Sequence, residues 1–388
     1  MNNLPPRILS IDIFRALTMM LMIFVNDFWS LTGVPLWLEH AKENQDFLGF
    51  SDIIFPCFLF IVGMSIPYAI RSRLAKGESR IKIMSHIFLR SLSLLVMGFF
   101  TVNIGRINEN SSGISREWFE ILMVVGFFLR WNIYPKATDW KKYLYPVLQV
   151  AGVLLLLFLF LIFRGGKDGD ELMKPSWWGI LGLIGWTYLI SATLYLFTGK
   201  SPILLISLWI LFSIINIATQ AGWVHTPIPG GGALQGFAFA GIAATLLLDR
   251  ATTSEKRTKL PLLYLGSGTL LVLAGLGLRN FFIISKIHAT PTWVFLCNGI
   301  AFVFLALVYY MIDLKDKAKW FDLIKPAGTS TLTCYLIPYV YYSIAKFTFS
   351  LPPILTSGAV GLLKSFFYAM IIIGITALLG KLKIKLSI

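Results

Sequence analysis

The sequence is poor in charge, cysteine and histidine, and each shortage narrows what the protein can be. Only 14% of its 388 residues are charged whereas 56% are hydrophobic, a balance that excludes an ordinary soluble domain. Its three cysteines, Cys57, Cys297 and Cys334, lie in apolar runs without the spacing of a disulfide framework or a metal site. The four histidines show no metal-like spacing either. We therefore predict no metal site.

Apolar runs long enough to cross a membrane as helices recur along the whole chain. A helix needs roughly 20 apolar residues to span a bilayer, and the strand-like alternation of a membrane barrel is missing from the sequence. The pattern predicts an all-α polytopic membrane protein with about 12 transmembrane helices in a single domain, residues 1–388. The predicted spans lie near residues 8–30, 50–71, 81–102, 117–134, 143–163, 176–197, 201–218, 233–249, 260–279, 291–312, 327–347 and 356–379.

The net charge of +15 follows the predicted topology. Most of the 34 Lys and Arg side chains fall in alternate loops, which the positive-inside rule assigns to the cytoplasm together with both termini. These basic loops are accounted for by topology and by attraction to anionic lipid. We therefore expect membrane lipid, and no nucleic acid, among the partners.

Polar residues within the spans are functional candidates because they are expensive to bury in a membrane. Asp12, Arg15 and Asn26 share one face of the first predicted helix. Arg90 lies near the middle of the third span, where snorkelling to the surface would be strained. The alternative is structural: Asp12 and Arg15 form an i, i+3 pair that fixes packing, and Asn26 makes an ordinary interhelical hydrogen bond.

The N-terminal third carries a specific set of motifs. It reads "RILSIDIFRALTMMLMIFVND", then "WLEHA", then "FSDIIFPCFLFIVGMSI". These segments contain R-x-x-S-x-D-x-F-R-[GA] from Arg7, F-V-N ending at Asn26, H-A at His40, and D-x-x-x-P-x-F-x-F-x-x-G from Asp52 to Gly63. The set resembles the heparan-alpha-glucosaminide N-acetyltransferase family, within the wider transmembrane acyltransferase group. Weaker similarities, among them "SKIHATPTW", continue along nearly the whole chain.

The resemblance implies a reaction that joins two aqueous faces. Cytoplasmic acetyl-CoA would donate an acetyl group to the amine of a terminal glucosamine on the outer side. The family's catalytic residues carry over onto His40 and Asn26, and its lysine-containing stretch carries over onto Lys286 and Trp293, on the acceptor side. We assign the CoA-binding side to Arg15 and Arg90, since buried positive charge suits a phosphate-bearing ligand, and we include Asp12, which shares the helix face of Arg15.

Chemistry gives each predicted site residue a role. An amine that attacks a thioester must lose a proton, which a histidine such as His40 can accept near neutral pH. His40 could instead carry the acetyl group transiently, and these two routes stay open. Asn26 could orient the imidazole or stabilise the developing oxyanion. Asp52 could pair with His40, or it could simply be an acidic residue favoured by the dipole at the N-terminus of a helix. Trp293 could lie on the acceptor side, or it could anchor the chain at the membrane interface.

Three departures from the family pattern limit the prediction. The family has a core of ten helices, so we expect residues 117–163 to be an inserted, peripheral helix pair. Ser330 stands where the family usually has asparagine. The long luminal N-terminal region of animal members is missing from this sequence, which suggests a bacterial protein of the inner membrane.

A secondary transporter of a small polar or anionic substrate is the alternative function, and a homodimer stays open.

Overall fold

The computed structural model describes residues 8–251, 253–348 and 351–388, so Arg7 of the N-terminal motif lies outside the described residues. Helices dominate these residues, and strand-like pairing within them is limited to four isolated bridges. The predicted all-α class is therefore confirmed.

Twelve long helices match the twelve predicted spans in order. Ten of them are long and apolar enough to cross a membrane. Of the other two, α4 has 16 residues, and α11 is made more polar by its tyrosines, proline and lysine. The count of twelve membrane crossings therefore stays a prediction. The helices are α1 Leu9–Asn26, α2 Ser51–Ala75, α3 Arg80–Asn103, α4 Arg116–Trp131, α5 Lys141–Ile162, α6 Gly179–Thr198, α7 Pro202–Gln220, α8 Ala233–Arg250, α9 Ser254–Leu278, α10 Pro291–Tyr309, α11 Thr331–Thr348 and α12 Gly358–Lys381.

Consecutive helices run in opposite directions, so the connecting loops gather at two ends of the bundle. We call the end that carries residues 27–50 and 279–290 the His40 end, and the other the opposite end. Contacts join these two loops, for example Arg279 to Asp46 at 2.9 Å. The positive-inside rule places the His40 end outside the cell, which stays a prediction.

Helix α2 packs tightly against α8 because small residues let the two backbones approach. A Cβ atom at Gly63 would clash with the Ala238 carbonyl, and one at Gly241 would clash with the Phe60 carbonyl. Close approach through small residues is how membrane helices gain packing energy without a hydrophobic effect between them. This contact fixes α2, whose first turn carries Asp52 at the His40 end.

The two helices expected to lie outside the core differ from each other. Helix α5 fits the expected peripheral position, because only 17% of its most apolar stretch is buried. Helix α4 buries one face, on which Phe119, Met123 and Phe127, four residues apart, are fully buried. This face is apolar at helical spacing and packs into the largest core cluster, and the position of α4 outside an acyltransferase core stays a prediction. Whether 117–163 is an insertion stays a prediction.

Candidate active site

The loop before α2 folds back so that His40 lies above the first turn of that helix. The Ser51 hydroxyl donates to the Leu38 carbonyl at 2.5 Å, and the Phe50 amide donates to the Trp37 carbonyl at 2.8 Å. A side chain at Gly49 would clash with the Glu39 backbone, so glycine permits this close return. The fold-back brings two residues twelve positions apart, His40 and Asp52, into contact.

His40 and Asp52 form a tight hydrogen-bonded pair. His40 Nδ1 lies 2.6 Å from Asp52 Oδ1, and the backbone amides of Ala41 and Gly49 donate to Oδ2 at 2.9 and 3.2 Å. Asp52 is only 1% exposed, so these donors compensate its buried charge. We assign the Nδ1 proton to the bond with Asp52. Nε2 is then the basic nitrogen, on a side chain that is 49% exposed.

Trp293 supports the first turn of α2 by supplying a hydrogen bond that Pro56 cannot make. Pro56 has no N–H, so the Asp52 carbonyl, four residues earlier, loses its helical partner. The Trp293 indole N–H donates to this carbonyl at 3.2 Å, and Trp293 is itself 2% exposed. The tryptophan therefore positions Asp52 from α10 rather than anchoring the chain at an interface.

Lys286 completes the cluster from the loop between α9 and α10. Its Nζ lies 3.2 Å from His40 Nδ1 and 3.8 Å from Asp52 Oδ1. The loop is a compact turn, since the Thr290 amide donates to the Ser285 carbonyl and the Ser285 amide to the Thr290 hydroxyl, each at 3.1 Å. Burial lowers the pKa of Lys286 more than the neighbouring Asp52 carboxylate raises it.

Asp46 joins the two loops of the cluster, and the sequence analysis did not single it out. It accepts from the Ile284 amide at 2.7 Å and from Arg279 at 2.9 Å. These contacts, the backbone bond first, hold the pKa of Asp46 below its ordinary value. A loop aspartate carries no helical or strand period, so no sequence pattern distinguishes it from a solvated charge.

Asn26 is not part of this cluster. Its exposed side chain lines a cavity of about 780 Å³ at the His40 end, between α1, α4, α11 and α12. His40 is not among the described residues that line this space. We call it the tyrosine cavity, because its wall contains Tyr335, Tyr339, Tyr341, Tyr342 and Tyr368.

These tyrosines were missed by the sequence analysis, although a signal was present. Tyr335, Tyr339 and Tyr342 are four and three residues apart, which is the spacing of one helix face. Amphipathic aromatic residues repeated on one face of an otherwise apolar span indicate a wall that is not packed against lipid tails. Asp27, which directly follows Asn26, lies in the same wall and is 1% exposed.

Arg90 lines a second cavity, of about 350 Å³, towards the opposite end. Its guanidinium lies 4.8 Å from the centre of the Tyr188 ring, and its buried Nε has no hydrogen-bond partner among the described residues. Lys385 lines the same space. We call it the arginine cavity. Tyr335 belongs to the walls of both cavities, so the two adjoin at this side chain.

Asp12 and Arg15 form the predicted i, i+3 pair, at 3.2 Å, and Arg15 also donates to Ser65 at 2.7 Å. These contacts tie α1 to α2. Neither residue is among the described residues that line the two cavities, and their assignment to CoA binding stays a prediction.

The described residues also contain no group of three or more potential metal ligands, and a metal-free site likewise stays a prediction.

Fold and site together define a multi-span helical membrane protein with a histidine–carboxylate pair at one end and a cationic cavity towards the other. Comparison with known sequences narrows this class. The family described as "Heparan-alpha-glucosaminide N-acetyltransferase, catalytic" matches residues 7–164, a range that includes Asn26, His40 and Asp52 and runs through both α4 and α5.

Two curated relatives support the match. The heparan-alpha-glucosaminide N-acetyltransferase of Homo sapiens is 38% identical over 104 residues, which cover 26% of this chain and 15% of that protein. The protein of the same name from Mus musculus is 37% identical over 98 residues, 25% of this chain and 14% of that protein. The chain thus matches only a small part of either relative. Its N-terminal segment is therefore similar to the heparan-alpha-glucosaminide N-acetyltransferase family, which confirms the predicted resemblance.

Proposed function

We propose that this chain is an acetyl-CoA-dependent transmembrane acetyltransferase. It takes the acetyl group from cytoplasmic acetyl-CoA and transfers it to the amine of a glucosamine-type sugar on the outer side. The observation that carries the proposal is the contact of 2.6 Å between His40 and Asp52 within the family-matched range. Because Asp52 holds Nδ1, the exposed Nε2 is available to accept a proton from the attacking amine.

The same geometry serves either chemical route. As a base, Nε2 accepts a proton from the neutral amine as its nitrogen attacks the thioester carbon, and the imidazolium returns this proton to the departing sulfur, so that CoA leaves as a thiol. As a transient acceptor, Nε2 attacks the thioester carbon and displaces CoA as a thiolate; the amine then attacks the acetyl carbon and displaces the imidazole, and the proton that the amine loses goes to the thiolate. In both routes Asp52 stabilises the charged imidazole, and Trp293 and Lys286 keep the pair in place.

The CoA end of the reaction is assigned to the arginine cavity. The buried Nε of Arg90 lacks a partner among the described residues, which costs free energy unless a ligand compensates it. Lys385 adds a second cation, and phosphate oxygens of CoA would satisfy both. Asn26, in the wall of the adjoining tyrosine cavity, is the proposed donor to the thioester oxygen.

The test is acetyl transfer by the purified full chain in proteoliposomes. Labelled acetyl-CoA is supplied on one side and glucosamine on the other, and acetylated sugar is measured for the wild type, His40→Ala and His225→Ala. We expect transfer across the membrane that is lost in His40→Ala and kept in His225→Ala, because His225 lies in an exposed loop outside the cluster. Substantial turnover by His40→Ala would refute the assignment. Accumulation of unmodified sugar inside the vesicles would support the transporter alternative.

A further inference from the structure

The tyrosine cavity is built from aromatic side chains that carry a polar group. Five of the 14 tyrosines of the chain line it, and Trp29, which is 71% exposed, lines it as well. Such side chains offer an apolar ring face beside a hydrogen-bonding group. A pyranose ring has the complementary build, with C–H groups that pack on ring faces and hydroxyls that need polar partners. The volume of about 780 Å³ suits a small-molecule site.

The formal charges in this wall cancel. Three nearly buried carboxylates each have a cationic partner, and these pairs are Asp27 with Lys364, Glu117 with Lys346, and Glu120 with Arg116. The described residues of the wall include no cation beyond these three. A wall with compensated charges attracts no anion, because any anion entering it would approach the carboxylates as well as their partners.

We propose that the tyrosine cavity binds an unsulfated sugar residue of the acceptor, neutral or cationic, and discriminates against sulfated sugars. The proposal deepens the proposed function and rests on it for the identity of the acceptor as an amino sugar. Trp29 lies one helical turn beyond Asn26, so a sugar stacked on this ring is held beside the candidate catalytic amide. A sulfate group on that sugar would lose water without gaining an unpaired cation.

The first experiment measures sugar binding by the purified full chain without acetyl-CoA. Labelled glucosamine and N-acetylglucosamine should bind saturably, and glucosamine 6-sulfate at least about tenfold more weakly. Trp29→Ala should weaken binding of both unsulfated sugars about tenfold, whereas Trp29→Phe keeps a ring face and should stay within about threefold.

Trp37→Ala is the matched control for Trp29. Trp37 is a tryptophan of the same end, 62% exposed, that is not in the cavity wall. Sugar binding by Trp37→Ala should equal that of the wild type. Equal affinity for sulfated and unsulfated sugars, or the same loss in both tryptophan variants, would overturn the proposal.

The second experiment changes the charge of the cavity with little change of shape. Glu120 accepts from Arg116 at 2.9 Å and from Ser343 at 2.8 Å. Glu120→Gln leaves the Arg116 charge uncompensated, so affinity for glucosamine 6-sulfate relative to glucosamine should rise about threefold to tenfold. Glu171→Gln, which breaks an ion pair with Arg106 in another loop of the His40 end, should leave this ratio unchanged. An unchanged ratio in Glu120→Gln would contradict the proposal, since a merely structural role for Glu120 predicts no gain of anion affinity.

Failure of this proposal and failure of the proposed function give different results. If no sugar binds through the cavity but acetyl transfer depends on His40, the cavity assignment fails and the acetyltransferase stands. If unsulfated sugars bind with the predicted dependence on Trp29 and Glu120 but no acetyl group is transferred, the cavity assignment stands and the enzymatic function fails.

Discussion

The two cavities differ in how their charges are compensated. In the wall of the tyrosine cavity, every described cation has a carboxylate partner. In the wall of the arginine cavity, the described residues include Arg90 and Lys385 but no Asp or Glu side chain. A buried charge without a protein partner is tolerated where a ligand or water compensates it. This difference is the reason that we propose the arginine cavity for the anionic donor and the tyrosine cavity for an uncharged or cationic acceptor.

The largest effect on acetyl transfer is expected from a change at Asp52, which lines neither cavity. In Asp52→Asn the amide can donate to His40 Nδ1, so the proton moves to Nε2, which then cannot accept one. Transfer should fall on the order of a thousandfold, while binding of CoA and of sugar stays near the wild-type level. Kinetics and equilibrium binding on the same preparation check this result.

Asp322→Asn is the control for Asp52→Asn, because Asp322 pairs with Lys325 in an exposed segment. It should transfer acetyl groups at the wild-type rate. Unchanged transfer in Asp52→Asn would remove the histidine–carboxylate pair from the mechanism, and lost binding of either ligand would give Asp52 a structural role.

Replacing Arg90 should affect ligand binding in the arginine cavity and leave the tyrosine cavity unchanged. Arg90→Ala removes the charge that faces the proposed phosphate, so CoA affinity should fall about tenfold to a hundredfold with sugar affinity unchanged. Arg15→Ala should lower CoA affinity less, since Arg15 is already engaged by Asp12 and Ser65.

Arg130→Ala is the matched control for Arg90, because Arg130 is an arginine near the same end that lines neither cavity among the described residues. Its CoA affinity should equal that of the wild type. Equal CoA affinity in Arg90→Ala would place the donor outside the arginine cavity.

Sequence patterns predicted the helices and most of the His40 cluster, for separate physical reasons. The helices follow from local apolar length, which a single chain displays directly. His40 and Asp52 share one motif region, whereas Lys286 and Trp293 were attached to it by resemblance, and the structure brings all four together. The tyrosine cavity depends on how α1, α4, α11 and α12 pack side by side. The spacing of the tyrosines marks one face of α11, but a single sequence does not show which helices pack beside that face, so the cavity itself was not predicted.

Lys286 should influence the pH dependence of transfer more than its rate. An ammonium 3.2 Å from His40 Nδ1 disfavours a second positive charge on the imidazole. In Lys286→Gln this charge is absent, so the acid limb of the pH–rate profile should differ from that of the wild type. Because burial lowers the pKa of Lys286, its charge is lost early on the alkaline side, and the two profiles should converge there.

Lys286→Arg is the conservative control for this shift. It keeps the positive charge, so its acid limb should stay near that of the wild type. Identical limbs in Lys286→Gln and the wild type would show that the lysine acts only by packing.

The smallest effect is expected at Asp46, which joins the two loops of the His40 cluster. Its pKa is lowered in the folded protein, first by the Ile284 amide and then by Arg279, so its stabilisation is present above the ordinary aspartate range and lost as pH falls through the lowered pKa. Asp46→Asn should therefore unfold at a temperature about one or two degrees below that of the wild type at pH 7, and the difference should disappear as pH falls through the lowered pKa of Asp46. Transfer should fall about twofold to fivefold, because Lys286 is less firmly placed.

Asp168→Asn, in another exposed loop of the same end, should match the wild type at every pH. A difference for Asp46→Asn that persists unchanged in acid would mean that the charge of Asp46 does not hold the loops together.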